Sequence, residues 1–362
     1  MKIIIAGSGQ VGSHLAKLLS YESQEITLID SNDEKLTFPN SQLDIRVVEG
    51  DCTSISILNK ANVADADLFI GVTAAEAVNL TSCYLAKQLG AKKTIARISN
   101  PELKENDNID FSELGISELI SPEILTSKEI NMAINRAEFT DPFEFEGGAL
   151  ITLGLSATHT STFVGKTVVE AAEIFPETHF FPISIKRDEK TIIPRGDTVF
   201  HSGDHIVFMT EPGGEEELLK LSGQNNGVIK NVMILGGGRV GKKVAQDLSS
   251  NNFNVKLVEI DKDRAEELAE DLENCLVIYG DGTNTELLDE ESLDQMDSFI
   301  AVTGDSEDNI MSSLIAKSKG INKTIALVDN LDYYKLTQIS GIDTLINKKL
   351  LAADAISKHV HN

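Results

Sequence analysis

Lys2-Ile3-Ile4-Ile5-Ala6-Gly7-Ser8-Gly9-Gln10-Val11-Gly12 holds three kinds of residue that ask for three geometries. Ile3, Ile4, Ile5 and Ala6 are consecutive apolar residues, as in a strand buried on both faces of a parallel sheet. Gly7, Gly9 and Gly12 follow in G-x-G-x-x-G spacing, and the apolar period then becomes helical at Leu15, Leu18 and Leu19. Strand, glycine turn and helix together make the phosphate-binding start of a dinucleotide-binding unit. Gly7 gives the tight turn, Gly9 a close backbone approach to a pyrophosphate, and Gly12 close helix–strand packing. The helix N-terminus offers free N–H groups to the phosphates. Asp30 closes the next apolar run, Ile26-Thr27-Leu28-Ile29, where a carboxylate can accept hydrogen bonds from a ribose diol.

The pattern returns 229 residues further on, from Gly7 to Gly236: Val232-Met233-Ile234-Leu235-Gly236-Gly237-Gly238-Arg239-Val240-Gly241. Glu259 then ends Val255-Lys256-Leu257-Val258 at the position of Asp30. With an offset of 230, Gly280-Asp281-Gly282-Thr283 repeats Gly50-Asp51-Cys52-Thr53, Val302-Thr303 repeats Val72-Thr73, and Asn309 repeats Asn79. The fold class expected is α/β, with two doubly wound Rossmann-like domains and a small α+β domain between them in sequence.

Length fits two or three domains, and 41% apolar residues suffice for ordinary cores. No apolar run approaches the roughly 20 residues that span a bilayer, so no direct lipid insertion is expected. The first strand begins at Lys2, which leaves no room for a signal peptide ahead of it. A net charge of −25 argues against nucleic acid as a partner. Cys52, Cys83 and Cys275 are few, odd in number and far apart, which fits reduced, mostly buried thiols in a cytoplasmic protein.

Within the first domain, taken as residues 1–140, the strand ends place Asp30, Asp51, Thr73 and Arg97 on one crevice. A connecting helix is expected from Ser121 as N-cap and Pro122 at its first position, and Asp141-Pro142 is expected to stop it. Residues 141–223 change character, with short strand-like runs at 143–155, 180–186, 191–193 and 205–209 and a helix at 168–175. A polar linker, 222–227, leads to the second Rossmann domain, taken as 229–353, and 354–362 reads as a tail.

No catalytic residue and no metal ligand is assigned. His159, His179, His201 and His205 lie in the small domain, and the last two bracket a Ser-Gly-Asp turn rather than one helix face. No Ser/His/Asp set, Walker loop or CxxC pair is present. An NAD-dependent oxidoreductase with two Rossmann domains is the alternative that remains open.

The expected cofactor-binding residues are Gly7, Ser8, Gly9, Gln10, Val11, Gly12, Asp30, Asp51, Thr73, Ala74 and Arg97 in the first domain. In the second they are Gly236, Gly237, Gly238, Arg239, Val240, Gly241, Glu259, Asp281 and Thr303. The two crevices are expected to differ. Gln10, Ser13 and His14 stand where the second has Arg239, Lys242 and Lys243, so cations are expected at the second glycine loop. Arg97 stands where the second has Leu327. For Arg97 a plain surface ion pair is also open. Asp30 and Glu259 should both disfavour a 2′-phosphate.

Ile5-Ala6-Gly7-Ser8-Gly9-Gln10-Val11-Gly12, Glu49-Gly50-Asp51-Cys52-Thr53, Val72-Thr73 with Asn79, and Ala96-Arg97 resemble the RCK/KTN family. Val164-Gly165-Lys166-Thr167, Ile193-Pro194-Arg195-Gly196-Asp197-Thr198-Val199 and Ser202-Gly203-Asp204 resemble that family's C-type regulatory module. The resemblance implies N-type, C-type, N-type order, with a second C-type module not present before Asn362. It implies a regulatory gating subunit, not an enzyme, that binds NAD(H) or ATP and ADP and forms a tetrameric ring. The implied partner is a Trk-type potassium-transporting membrane subunit, met at the cytoplasmic face of the plasma membrane.

Overall fold

The computed structural model describes all residues except 23, 107, 137–138, 146–147, 175–179, 189, 223–228, 331–332, 334–340 and 362. His179 and most of the expected linker lie outside the described residues.

In the first domain the apolar runs become strands and the helical periods become the helices that cover them. The order is β1 (Lys2–Ala6), α1 (Gln10–Ser20), β2 (Glu25–Asp30), α2 (Asp33–Gln42), β3 (Arg46–Glu49) and α3 (Ile55–Lys60). It continues with β4 (Leu68–Gly71), α4 (Glu76–Gln88), β5 (Lys93–Arg97), α5 (Glu102–Glu105), β6 (Glu118–Ile120) and α6 (Pro122–Asn135). The parallel sheet is ordered β3-β2-β1-β4-β5-β6. Its switch point therefore falls between β1 and β4, where a crevice opens at the carboxyl ends. Ile3 and Ile5 bury on one face and Ile4 and Ala6 on the other, which is why the run is apolar without alternation.

The small domain has an antiparallel sheet ordered β10-β9-β11-β8-β7. Its strands are β7 (Thr140–Phe145), β8 (Leu150–Ser156), β9 (Phe180–Arg187), β10 (Lys190–Ile192) and β11 (His205–Thr210), with helices α7 (Val168–Ile174) and α8 (Gly214–Ser222). Phe163 meets Phe200 and Phe208 edge-on at centroid distances of 5.3 and 6.1 Å in its core. The turn that His201 and His205 bracket is built on Asp204, which is 1% exposed. Its carboxylate accepts two bonds from Arg187 at 2.6 Å and one from the His201 N–H at 2.8 Å. Burial pushes the Asp204 carboxyl up, but the Arg187 and His201 bonds outweigh it and hold it below the usual range.

Asp141-Pro142 does not stop α6 as expected. The helix ends at Asn135, and both residues fall within β7. That strand lies at the sheet edge, and its register shifts between Thr140 and Phe143, where a proline takes no bond from the ladder.

The second Rossmann domain repeats the first. It runs β12 (Asn231–Leu235), α9 (Arg239–Ser250), β13 (Asn254–Glu259), α10 (Lys262–Asp271), β14 (Cys275–Tyr279) and α11 (Thr285–Glu290). Then come β15 (Ser298–Ala301), α12 (Ser306–Ser318), β16 (Lys323–Leu327), β17 (Thr344–Ile346) and α13 (Lys348–His361). The sheet order is β14-β13-β12-β15-β16-β17, the order of the first sheet. The expected tail from 354 is helical instead: it continues α13, whose Ala352, Ala353, Ile356 and Val360 are buried in the core beside Leu15 and Leu19 of α1. The two Rossmann domains form one compact unit, and residues Asn131–Val232 with Met296–Ser298 form another.

Candidate nucleotide site

At the first glycine loop Gly7 has φ +112°, and a Cβ there would sit 2.8 Å from the Thr73 nitrogen. A Cβ on Gly12 would sit 1.8 Å from the Gly7 carbonyl oxygen, so β1 and α1 close on each other only without a side chain. A Cβ on Gly9 would meet nothing within 4 Å. The space over Gly9 is open to the crevice. Asn32 caps α2, but α1 has no side-chain cap and no acid in its first turn, which leaves its N-terminal dipole uncompensated.

Asp30 braces the loop: Oδ2 accepts the Ser8 N–H at 2.7 Å and Oδ1 the Asn32 N–H at 2.9 Å. Each oxygen keeps a lone pair for a further donor. On the other wall, Asn79 is 1% exposed, and its Oδ1 accepts both the N–H and the hydroxyl of Thr73 at 2.7 Å. Its Nδ2 donates to the carbonyls of Thr73 at 3.1 Å and Arg97 at 2.9 Å. One buried amide thus ties the ends of β4 and β5. Asp51 accepts the N–H and hydroxyl of Thr53, which hold its carboxyl below the usual range.

These groups surround a cavity of about 680 Å³. Of the expected residues, Gly7, Gly9, Gln10, Val11, Asp30, Asp51, Thr73, Ala74 and Arg97 line it. Ser8 and Gly12 do not: Ser8 is turned into the loop, its hydroxyl bonded to the Lys35 carbonyl at 2.8 Å, and Gly12 lies under the loop against Gly7. Arg97 is not in a surface ion pair among the described residues, and its Nε is buried with no hydrogen-bond partner. Sequence reasoning missed two cations of the lining, Lys35 of α2 and Lys349 of α13. Lys35 had a signal in its place on the first turns after Asp30; Lys349 had none. Asp30 and Asp51 face Lys35, Arg97 and Lys349, so the cavity is net positive.

The second crevice has the same loop but different charges. Gly236 has φ +103°, a Cβ on Gly241 would sit 1.8 Å from the Gly236 oxygen, and one on Gly238 would meet nothing. Glu259 braces it by accepting the N–H groups of Gly237 at 2.6 Å and Asp261 at 2.9 Å. Its cavity, about 330 Å³, is lined by Gly236, Gly238, Glu259, Asp281 and Thr303 among the expected residues. Gly237, Arg239, Val240 and Gly241 do not line it. The charged lining is Glu259, Asp281, Asp305 and Asp308, four carboxylates. Asp305 and Asp308 stand where the first domain has Ala75 and Val78. Slight desolvation at the crevice and the neighbouring carboxylates of Asp305, Asp281 and Glu307 push the exposed Asp308 carboxyl up. Two of the three cations expected at the second loop are taken elsewhere: Lys242 pairs with Asp271 at 2.6 Å, and Lys243 with Glu105 at 2.8 Å and Asp247 at 3.4 Å, while Arg239 is exposed outside the cavity lining.

Residues 3–122 and 232–348 match the TrkA-N domain, and residues 155–223 match the TrkA-C domain. The chain belongs to the TrkA family. Over 366 residues it is 36% identical to the Trk system potassium uptake protein TrkA of Haemophilus influenzae, covering 99% of this chain and 79% of that protein. It is 32% identical to a TrkA homolog of Methanosarcina mazei, covering 99% of this chain and 80% of that protein. A solved structure of the GsuK channel bound to NAD superposes with a TM-score of 0.71 at 19% identity, covering 99% of this chain and 63% of that one. That likeness is one of fold, and it extends over both Rossmann domains and the small domain. The TrkA relatives are named for potassium uptake. No described helix is long and apolar enough to cross a membrane.

Proposed function

We propose that the chain is the nucleotide-responsive regulatory subunit of a Trk-type potassium-uptake system, with the first cavity as its ligand site. The observation that carries this is the pairing of an uncapped α1 N-terminus with Arg97, whose buried Nε has no partner, across one net-positive cavity. A buried N–H donor without a partner among the described residues is costly, and an anion in the crevice would satisfy it. Asp30 would accept the ribose hydroxyls, the open space over Gly9 would take the pyrophosphate, and Arg97 would meet phosphate. NAD(H) and ATP or ADP are the ligands of that shape and charge, and NAD occupies the superposable GsuK channel. The four carboxylates of the second cavity oppose a polyphosphate, so the first carries the response.

The chain would act at the cytoplasmic face of the membrane as a tetrameric ring on the transporting subunit. Ligand control requires only that two ring states bind the nucleotide with different affinity. Two measurements test this. Calorimetry with NADH, NAD, ATP and ADP should show binding by the purified chain. Potassium flux through the reconstituted membrane subunit should then change with nucleotide only when the chain is present. Flux indifferent to bound nucleotide would refute regulation.

A further inference from the structure

Lys349 belongs by sequence to the second Rossmann domain, in the first turn of the helix that follows its last strand, yet it lines the cavity of the first. The reason is the exchange noted in the fold: α13 buries Ala352, Ala353, Ile356 and Val360 in the first domain's core, against α1. Asn347 fixes where the helix starts. Its Oδ1 accepts the N–H groups of Lys349 and Leu350 at 3.0 and 2.9 Å, and its Nδ2 donates to the Val328 carbonyl at 2.7 Å. Thus the first turn of α13 is anchored to Val328, the residue after β16 of the second domain, while the rest of the helix is packed on the first.

The Lys349 ammonium is held loosely. It lies 3.8 Å from Asp329 Oδ2 and 3.4 Å from the Asp329 carbonyl, and Asp329 Oδ1 is buried without a partner among the described residues. In the repeat, Ser121 and Pro122 correspond to Asn347 and Lys348, so Glu123 stands at the position of Lys349. Glu123 is 5% exposed; its Oε1 lies 3.7 Å from the Lys348 ammonium, and its Oε2 is buried without a partner among the described residues. The cation given to the first crevice has an acid as its counterpart, in keeping with the four carboxylates of the second cavity.

We propose that Lys349 is a phosphate-binding residue lent to the first cavity by the second domain. A nucleotide's phosphate draws the ammonium from Asp329, and the first turn of α13 carries that event to β16. This rests on the reading of the first cavity as a nucleotide site. It adds that the anionic ligand is read by both domains at once, and that phosphate, not the nucleoside, is what α13 senses.

The test uses the full chain, with ADP and adenosine as probes, measured by calorimetry and by hydrogen exchange of α13. Lys349→Ala should weaken ADP binding about tenfold or more, the loss of one charge-assisted bond, and leave adenosine unchanged. Lys349→Arg should restore ADP binding. Asp329→Asn, which frees the ammonium, should tighten it. ADP should protect the amides of Leu350 and Leu351 in the wild type and not in Lys349→Ala. If Lys349→Ala binds ADP as the wild type does, or loses ADP and adenosine equally, the inference is overturned. A wild-type chain that binds neither probe would instead overturn the nucleotide reading on which it rests.

Discussion

Arg97 and Leu327 occupy the same backbone position in the two repeats, at the carboxyl ends of β5 and β16, and differ in everything the position offers a ligand. Each carbonyl accepts a bond at 2.9 Å from a buried asparagine, Asn79 in one case and Asn309 in the other. The scaffold is shared, but Arg97 lines the first cavity, whereas Leu327 is buried and does not line the second.

Replacing Arg97 therefore separates binding from stability. Arg97→Leu should weaken ADP binding by roughly 1.5–3 kcal/mol, the worth of one charge-assisted hydrogen bond. The unliganded chain should be no less stable, because the substitution removes a buried Nε that has no partner. ADP titration and thermal melting of the same variant check both halves.

The glycines should divide in a way that the motif alone does not state. Gly12→Ala places a Cβ 1.8 Å from the Gly7 oxygen and should lower stability by several kcal/mol, as overpacking against backbone does. Gly9→Ala meets no protein atom within 4 Å and should leave the fold intact while filling the space over the loop. Denaturant unfolding should be altered only in the first variant. ADP binding should be lost in the second despite a normal melt.

Asn79→Ala should destabilise the first domain by roughly 2–4 kcal/mol, since the Thr73 N–H and the Thr73 and Arg97 carbonyls lose the Asn79 amide in a buried site, and the Thr73 hydroxyl is left with the Ala75 carbonyl at 3.2 Å. Asn309→Ala should do the same in the second domain. Chemical denaturation followed by hydrogen exchange locates each loss.

In the small domain, Asp204 gives a pH dependence. Its carboxyl titrates below the unfolded value of 3.8, so the pair with Arg187 stabilises the domain fully above that value. The contribution is lost as pH falls through the folded value. Asp204→Asn should cost roughly 1–3 kcal/mol at neutral pH, since Arg187 stays partly exposed and keeps its bond to the Val199 carbonyl, and should remove this part of the acid transition. Acid unfolding curves of both proteins, read by hydrogen exchange in β11, check it.

What the sequence made legible was local or repeated. Ile3 to Gly12 reads directly because each residue type there has one geometry it can serve, and the switch-point rule then gathers Asp30, Thr73 and Arg97 from strand ends far apart in the chain. Lys349 was not legible. It reaches the first cavity only because α13 of one repeat packs on α1 of the other, a tertiary exchange with no short-range signal. Lys242 and Lys243 misled for a related reason: nearness to a glycine loop does not say which acids, here Asp271, Glu105 and Asp247, meet them across the fold. Asp305 and Asp308 carried no signal of a site in the sequence; Asp305 caps its helix by accepting the Asp308 N–H at 2.9 Å. That the same acids also line a cavity depends on the sheet's switch point. Pro142 reads as a helix stop until the sheet edge that tolerates it is known.

The most direct test is a calorimetric count of ADP sites on the full chain beside the Arg97→Leu variant. The expected result is one site per chain, greatly weakened by that single substitution, with the acidic second crevice empty. Two equivalent sites per chain, or a single site untouched by Arg97→Leu, would contradict the assignment of the response to the first cavity.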